Sequence, residues 1–151
     1  TFADLLQMEM PDSQAVDSVT ALPLLKGGDA AYRESHAIVH HSSLGRFAIR
    51  RGDWKLLLHS GSGGNNYSVK SGRRADAYAN TLEQRLFDTG ERQLYNLRLD
   101  IAESQNLASE RPDIVAGLTA LAVEYVKNGR STPGPKQDYV RDDWKQIDWI
   151  D

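Results

Sequence analysis

The stretch Arg46-Phe47-Ala48-Ile49-Arg50-Arg51-Gly52-Asp53-Trp54-Lys55-Leu56-Leu57-Leu58 decides the fold. Phe47 and Ile49 recur at every second position before Gly52-Asp53, and Trp54, Leu56 and Leu58 do so after it. A period of two places each set on one face of a strand. Gly-Asp between two such runs signals a tight turn, because glycine takes positive φ without steric cost. The stretch predicts a β-hairpin, 46–51 against 54–58. Upstream, 36–41 reads as a strand centred on Ile38 and Val39. Downstream, 93–97 reads as a strand, and 85–88 as a short one before the turn Asp88-Thr89-Gly90-Glu91.

Working outward, the period changes. Ile114, Leu118, Leu121 and Tyr125 step along one helical face, flanked by Val115, Ala122 and Val126. Ser109 or Glu110 stands near the start of this helix, Pro112 suits its first turn and Asp113 its positive end. Gly129 after Asn128 is the expected C-terminal cap. Phe2, Leu5 and Leu6 predict a helical segment ended by Pro11-Asp12-Ser13, since proline cannot continue a helix. Leu22-Pro23-Leu24-Leu25 is an apolar patch before a turn at Gly27-Gly28. Residues 60–79 are polar and glycine-rich, long for a connection inside one domain. The tail 139–151 carries Trp144, Ile147, Trp149 and Ile150 and is expected to pack back onto the body. Strands followed by one long helix predict an α+β fold: a small antiparallel sheet of about four strands with the C-terminal helix on one face.

The 151 residues suffice for one domain with a core of its own. Hydrophobic residues make up 40% and charged residues 26%, which is globular rather than disordered composition. No apolar run approaches the ~18 residues of a membrane span. The formal net charge of −3 argues against a nucleic-acid partner, which usually needs a basic face. Cysteine is absent, so there is no thiol nucleophile and no disulfide framework. The chain opens on Thr1 with residues that read as helix interior, and is expected to be part of something longer.

Few residues suggest chemistry by spacing alone. His36, His40 and His41 share one predicted strand, but strand neighbours point to opposite faces, which disfavours a shared metal. Arg51-Gly52-Asp53 matches an adhesion tripeptide, yet a hairpin turn explains it. Asn66-Tyr67-Ser68 fits a glycosylation acceptor, relevant only in a eukaryotic secretory setting. Ser60-Gly61-Ser62-Gly63-Gly64 could cradle an anion with backbone N–H groups, but it lacks the lysine and helix of a P-loop. No Ser/His/Asp set and no acid/base pair of carboxylates stands out.

A resemblance adds what spacing does not. His40-His41-Ser42, then Gly45-Arg46-Phe47-Ala48-Ile49-Arg50, then Gly52-Asp53-Trp54-Lys55-Leu56 resemble the C-terminal portion of type I, formylglycine-dependent sulfatases of arylsulfatase type. Gly61-Ser62-Gly63-Gly64 follows where such a loop often stands. Gln93-Leu94-Tyr95-Asn96-Leu97, Asp100, Glu103 and Asn106-Leu107-Ala108 resemble the family's LYNL…D…E…NLA segment. Pro23-Leu24-Leu25-Lys26-Gly27 resembles the end of the large domain, and Gly129-Arg130-Ser131-Thr132-Pro133-Gly134 resembles the family's ending.

The resemblance implies an alkaline-phosphatase-like enzyme in which this chain is the C-terminal subdomain. Residues 1–30 would close the large catalytic domain, 31–130 would form the subdomain and 131–151 a tail. The parent would hydrolyse sulfate esters with a formylglycine nucleophile and calcium, and would be periplasmic or secreted. Neither cofactor is expected in this chain. Ser131-Thr132-Pro133 begins like a formylglycine motif, but Pro135 stands where arginine is needed. No residue here is expected to be catalytic or to bind metal. His40, His41, Ser42, Ser62 and Gly63 are the candidates for touching a sulfated substrate. The expected partner is the catalytic domain of the same polypeptide, with no membrane or nucleic acid, and an artefactual dimer could form through the exposed interface. The alternative is an independent module for sulfated glycans, using Arg50, Arg51, Arg73 and Arg74, since arginine's planar fork suits sulfate.

Overall fold

The computed structural model describes residues 1–28, 30–42, 46–59, 92–138, 147 and 150. The expected strand at 85–88, the loop with Ser62 and Gly63, Arg73, Arg74, Asn66 and both tail tryptophans lie outside the described residues.

Four antiparallel strands form a meander in chain order: β1 (Ala37–His41), β2 (Phe47–Arg51), β3 (Trp54–Leu57) and β4 (Gln93–Asn96). The hairpin turns at Gly52, whose φ of 57° lies in the left-handed region, with Arg51 opposite Trp54. Val39, Ile49, Leu56 and Leu94 lie side by side across all four strands. That row faces the long helix α4 (Pro112–Asn128), which contributes Leu118 and Ala122 to the same core. The helix closes as a Schellman motif: Arg130 N–H donates to Tyr125 O and Gly129 N–H to Val126 O, with Gly129 at φ 63°. The fold is the expected α+β arrangement.

Some local expectations need correction. The first helix, α1 (Phe2–Leu5), ends well before Pro11. Gln7 takes φ 55° and donates to Asp4 O while Met8 donates to Ala3 O, so a Schellman closure without glycine ends it. Leu22–Leu25 is not merely a patch but a single helical turn, α2, with Pro23 in its first turn. A further short helix, α3 (Ala30–Ser35), precedes β1. At the start of α4, neither Ser109 nor Glu110 caps. Arg111 stands at the cap position and binds Asp113 in a fork at 3.1 and 2.9 Å, with its guanidinium 5.3 Å from the centre of the Trp54 ring.

The segment that resembles LYNL…D…E…NLA is built for packing and turns. Leu94 is fully buried. Asn96 Oδ1 accepts from Arg98 N–H and Leu99 N–H. Asp100 gathers Ser104 N–H at 2.7 Å, Gln105 N–H at 2.9 Å and the Ser104 hydroxyl. These donors, Gln105 foremost, hold its carboxyl below the usual range. Asn106 Oδ1 accepts from Leu94 N–H and Ala108 N–H, each at 3.0 Å, and so fastens the returning chain to edge strand β4.

Candidate functional site

The candidate side chains stand where β1 ends. Alternation along the strand divides them. His41 lies on the α4 side, with its ring against Phe47 at 5.8 Å and its Nδ1 2.8 Å from Ser42 O. Ser42 N–H donates to Arg46 O at 2.9 Å, and its Oγ accepts from Arg46 N–H at 3.3 Å, which closes the strand end. His40 lies on the opposite face. The structure thus ties the His41 ring to the Ser42 carbonyl and places His40 on the other face of the sheet from His41.

The face that carries His40 mixes polar and apolar side chains across the sheet. Ile38, Arg50, Lys55 and Tyr95 form one cross-strand row; His40, Ala48, Leu57 and Gln93 form the next. Lys55 Nζ meets Glu103 Oε1 at 2.5 Å, and Glu103 reaches it from a left-handed backbone position, φ 54°. The Tyr95 hydroxyl donates to Gln93 Oε1 at 2.7 Å. Burial, then the Glu103 and Asp100 carboxylates, hold the Tyr95 phenol above its ordinary value. Burial also pushes the His40 imidazole below its ordinary value, assisted by Lys55, Arg50 and His41 and opposed by Glu103. His40 is therefore a neutral hydrogen-bonding group at neutral pH.

That shift has a consequence for stability. The folded state binds the His40 proton less readily than the unfolded state does. Its contribution is complete above about pH 6.5, the ordinary imidazole value, and is lost as pH falls below it. Urea midpoints at pH 8 and pH 5.5 should therefore differ less for His40→Gln than for the unaltered chain. An equal difference in both would refute the assignment.

Two arginines of the glycan-module reading, Arg50 and Arg51, are engaged by backbone carbonyls. Arg50 Nε donates to Gly52 O at 3.3 Å and Arg51 Nε to Glu34 O at 2.7 Å. As strand neighbours they point to opposite faces. A cavity of about 820 Å³ lies on the α4 side of β1, lined by Tyr32, Val39, Phe47, Tyr125, Val126 and Ile147 among others. Its wall is largely apolar, unlike a site for a sulfated sugar.

No family model matches the chain. One similar protein is the N-acetylgalactosamine-6-O-sulfatase of Bacteroides thetaiotaomicron (strain VPI-5482), 31% identical over 127 residues. That match covers 84% of this chain and 22% of the relative. A solved structure concerning the metabolism of multiple glycosaminoglycans by Bacteroides thetaiotaomicron, described as a 6S-sulf, superposes with a TM-score of 0.57. It is 30% identical, over 83% of this chain and 23% of that one. The chain belongs to the sulfatase family. It spans about a fifth of the length of the sulfatases it matches.

The sheet-and-helix unit is the α+β C-terminal subdomain of a sulfatase. Sulfatases of this type imply formylglycine and calcium, and the residues here can be tested against both. Among the described residues, no group of three or more His, Asp or Glu side chains is placed to hold a metal ion. Ser131, the one residue that begins a formylglycine-like run, is occupied otherwise. Its N–H and its hydroxyl both donate to Asp17 Oδ1, at 2.8 and 2.9 Å. The described residues fit neither group.

The sequence alone did not reveal Lys55, Glu103 or Arg130 as a site or a clamp. The contact between Lys55 and Glu103 joins positions 48 residues apart in the chain, and that of Arg130 with Asp12 positions 118 apart. The only signal was that all three fall inside the stretches that resemble sulfatases.

Proposed function

We propose that this chain works as the C-terminal subdomain of a sulfatase acting on a sulfated amino-sugar glycan, and that it braces the catalytic part and lines one wall of the substrate cleft. The observation that carries the reading is the match to an N-acetylgalactosamine-6-O-sulfatase along most of this chain, with a solved sulfatase superposing over the same span. Residues 1–30 go with the catalytic part, 31–130 form the subdomain and 131–151 the tail. The nucleophile and calcium are supplied elsewhere in the parent, and this chain alone hydrolyses nothing.

Within this reading the end of β1 and the loop at Ser62 and Gly63 face substrate. His40 and His41 have different duties, because they lie on opposite faces. His41 is packed on Phe47 and tied to Ser42, and shapes the strand end. His40 is exposed and held neutral beside Lys55 and Arg50, so it can donate to or accept from a sugar or sulfate oxygen.

Turnover of 6-O-sulfated N-acetylgalactosamine tests both levels. The parent should release sulfate and the 151-residue chain should not. Release by the chain alone, or none by the parent, would overturn the sulfatase reading. In the parent, His40→Ala should lower kcat/KM by roughly tenfold or more while the melting temperature stays put. A melting temperature that falls together with kcat/KM would make His40 structural.

A further inference from the structure

Arg50 on β2 and Lys55 on β3 stand directly opposite each other, on the sheet face that also carries His40. Cross-strand partners hold their Cβ atoms about 5 Å apart, and like charges so placed repel. Such a pair costs stability unless anionic groups answer both cations.

The carboxylates of this face answer only one of them. Glu103 Oε1 meets Lys55 Nζ at 2.5 Å. The turn that carries Glu103 is fixed: Asp100 binds the Ser104 and Gln105 amides, and Glu103 N–H donates to Asp100 O at 3.3 Å. Lys55 is thereby held at one place on the sheet. Asp53, the acidic residue nearest in sequence to both cations, is taken by Arg98 Nε at 2.9 Å. Arg50 has only a neutral partner, the Gly52 carbonyl at its Nε. Among the described residues no carboxylate comes within 4 Å of its guanidinium. Its Nη groups, with four of the five N–H donors, bind no protein acceptor among the described residues. They are not sealed in either, since the single buried side-chain polar atom without a partner among those residues is Arg130 Nε.

A guanidinium fork with open donors, a fixed ammonium and the exposed His40 imidazole therefore share one face. Both cations act on His40 and disfavour its proton. A fork suits a planar or tetrahedral oxyanion, and an ammonium beside it adds a point charge. The sulfate to be cleaved is not the anion in question, because the nucleophile and calcium that must hold it are supplied elsewhere in the parent.

We propose that Arg50 and Lys55 form a binding site for a second anionic group of the substrate glycan, a uronate carboxylate or a further sulfate ester, with Glu103 as the positioning residue for Lys55. The proposal rests on the reading of the chain as a sulfatase subdomain that lines the substrate cleft. It adds the class of glycan: one that carries negative charge besides the sulfate that is removed.

Sulfate release by the parent tests it on paired substrates. One pair is 6-O-sulfated N-acetylgalactosamine linked to glucuronic acid, and the same disaccharide with the carboxylate reduced to an alcohol. The other is the sulfated amino sugar with and without a second sulfate ester. In at least one pair the KM of the more highly charged member should be about tenfold lower, the worth of one charge-assisted hydrogen bond. The pair that shows it identifies the group as carboxylate or sulfate. Arg50→Gln should bring the two KM values together, and Glu103→Gln should narrow the gap several-fold. Arg98→Gln, which removes a cation outside the site, should keep the gap. Salt gives a reading that needs no variant: from about 0.05 to about 0.5 M the gap should shrink at least threefold. Equal KM values within both pairs for the unaltered parent would overturn the site, as would a gap that survives Arg50→Gln or high salt. A loss with Arg98→Gln as large as with Arg50→Gln would also overturn it, by showing a diffuse field instead of a site. Sulfate release without any such preference refutes the site alone, whereas no release from any of the substrates refutes the sulfatase reading and the site with it.

Discussion

Replacing Arg130 with alanine should cost the chain about 3 kcal/mol, as much as a core truncation, although Arg130 belongs to no strand or helix. Its side chain is 5% exposed. Nη1 donates to Asp12 O at 3.3 Å and to Pro135 O at 3.0 Å, and Nη2 donates to Thr132 Oγ1 at 3.0 Å. Thr132 Oγ1 in turn donates to Val16 O at 2.5 Å. Gly134 lies against the guanidinium so closely that a Cβ there would run into it. Truncation removes three hydrogen bonds at about 1 kcal/mol each and leaves a void where the guanidinium packed. One gain opposes these losses. Nε is buried with no partner, and its desolvation penalty disappears with it, worth roughly 1–3 kcal/mol. The balance favours a net loss because the void adds to the lost bonds. Arg130→Lys should recover little, since a point charge cannot span acceptors that a planar fork reaches together. Urea unfolding at fixed pH measures this. A loss under about 1 kcal/mol for Arg130→Ala would show that the clamp contributes little, and would also weaken the case that residues 1–17 are firmly held.

Short periods made the framework legible. Phe47, Ile49, Trp54, Leu56 and Leu58 displayed the hairpin because side chains alternate along a strand and only one face meets α4. Ile114, Leu118, Leu121 and Tyr125 displayed α4 because the helical period brings them to one stripe, and Gly129 marked its end because a left-handed residue is needed there. The one-turn helices escaped for the opposite reason. Four residues at α2 have too few positions to show a period, and they hold their turn through neighbours such as Thr1. Gln7 ended α1 by a closure that sequence assigns to glycine. The candidate site was legible only in part. That His40 and His41 face apart follows from their being adjacent on a strand. That His40 stands near Lys55 and Glu103 depends on strand register and on a distant turn, which no local pattern contains. The clamp at Arg130 joins residues 114 to 118 positions apart, and it became visible only in three dimensions.

Leu56→Ala should be the most damaging single truncation of the sheet, at about 4 kcal/mol, within the range for fully buried leucine. Leu56 is fully buried on the face toward α4, with Ile49 beside it on β2 and Leu94 on β4. Those neighbours are themselves fully buried: Ile49 is pinned by strand pairing on both sides, and Leu94 by β3 on one side and by Asn106 and Leu107 on the other, so they cannot shift to fill the space. The residual cavity, and not only the lost transfer free energy, then sets the cost. Its neighbour Leu57 makes the control. It points to the opposite face, into a smaller cluster with Ala48 and Tyr95, and keeps 7% exposure. Leu57→Ala should cost about half as much, because a cluster of that size leaves fewer contacts to lose. Both variants keep the strand's backbone bonds, so a difference between them reports side-chain packing alone. A domain of this kind has only about 5–15 kcal/mol to lose, so Leu56→Ala should bring the urea midpoint near zero or abolish folding, while Leu57→Ala leaves a cooperative transition. Equal losses for the two would mean that both faces of the sheet are equally well packed, and would remove α4 from its place as the main cover of the core.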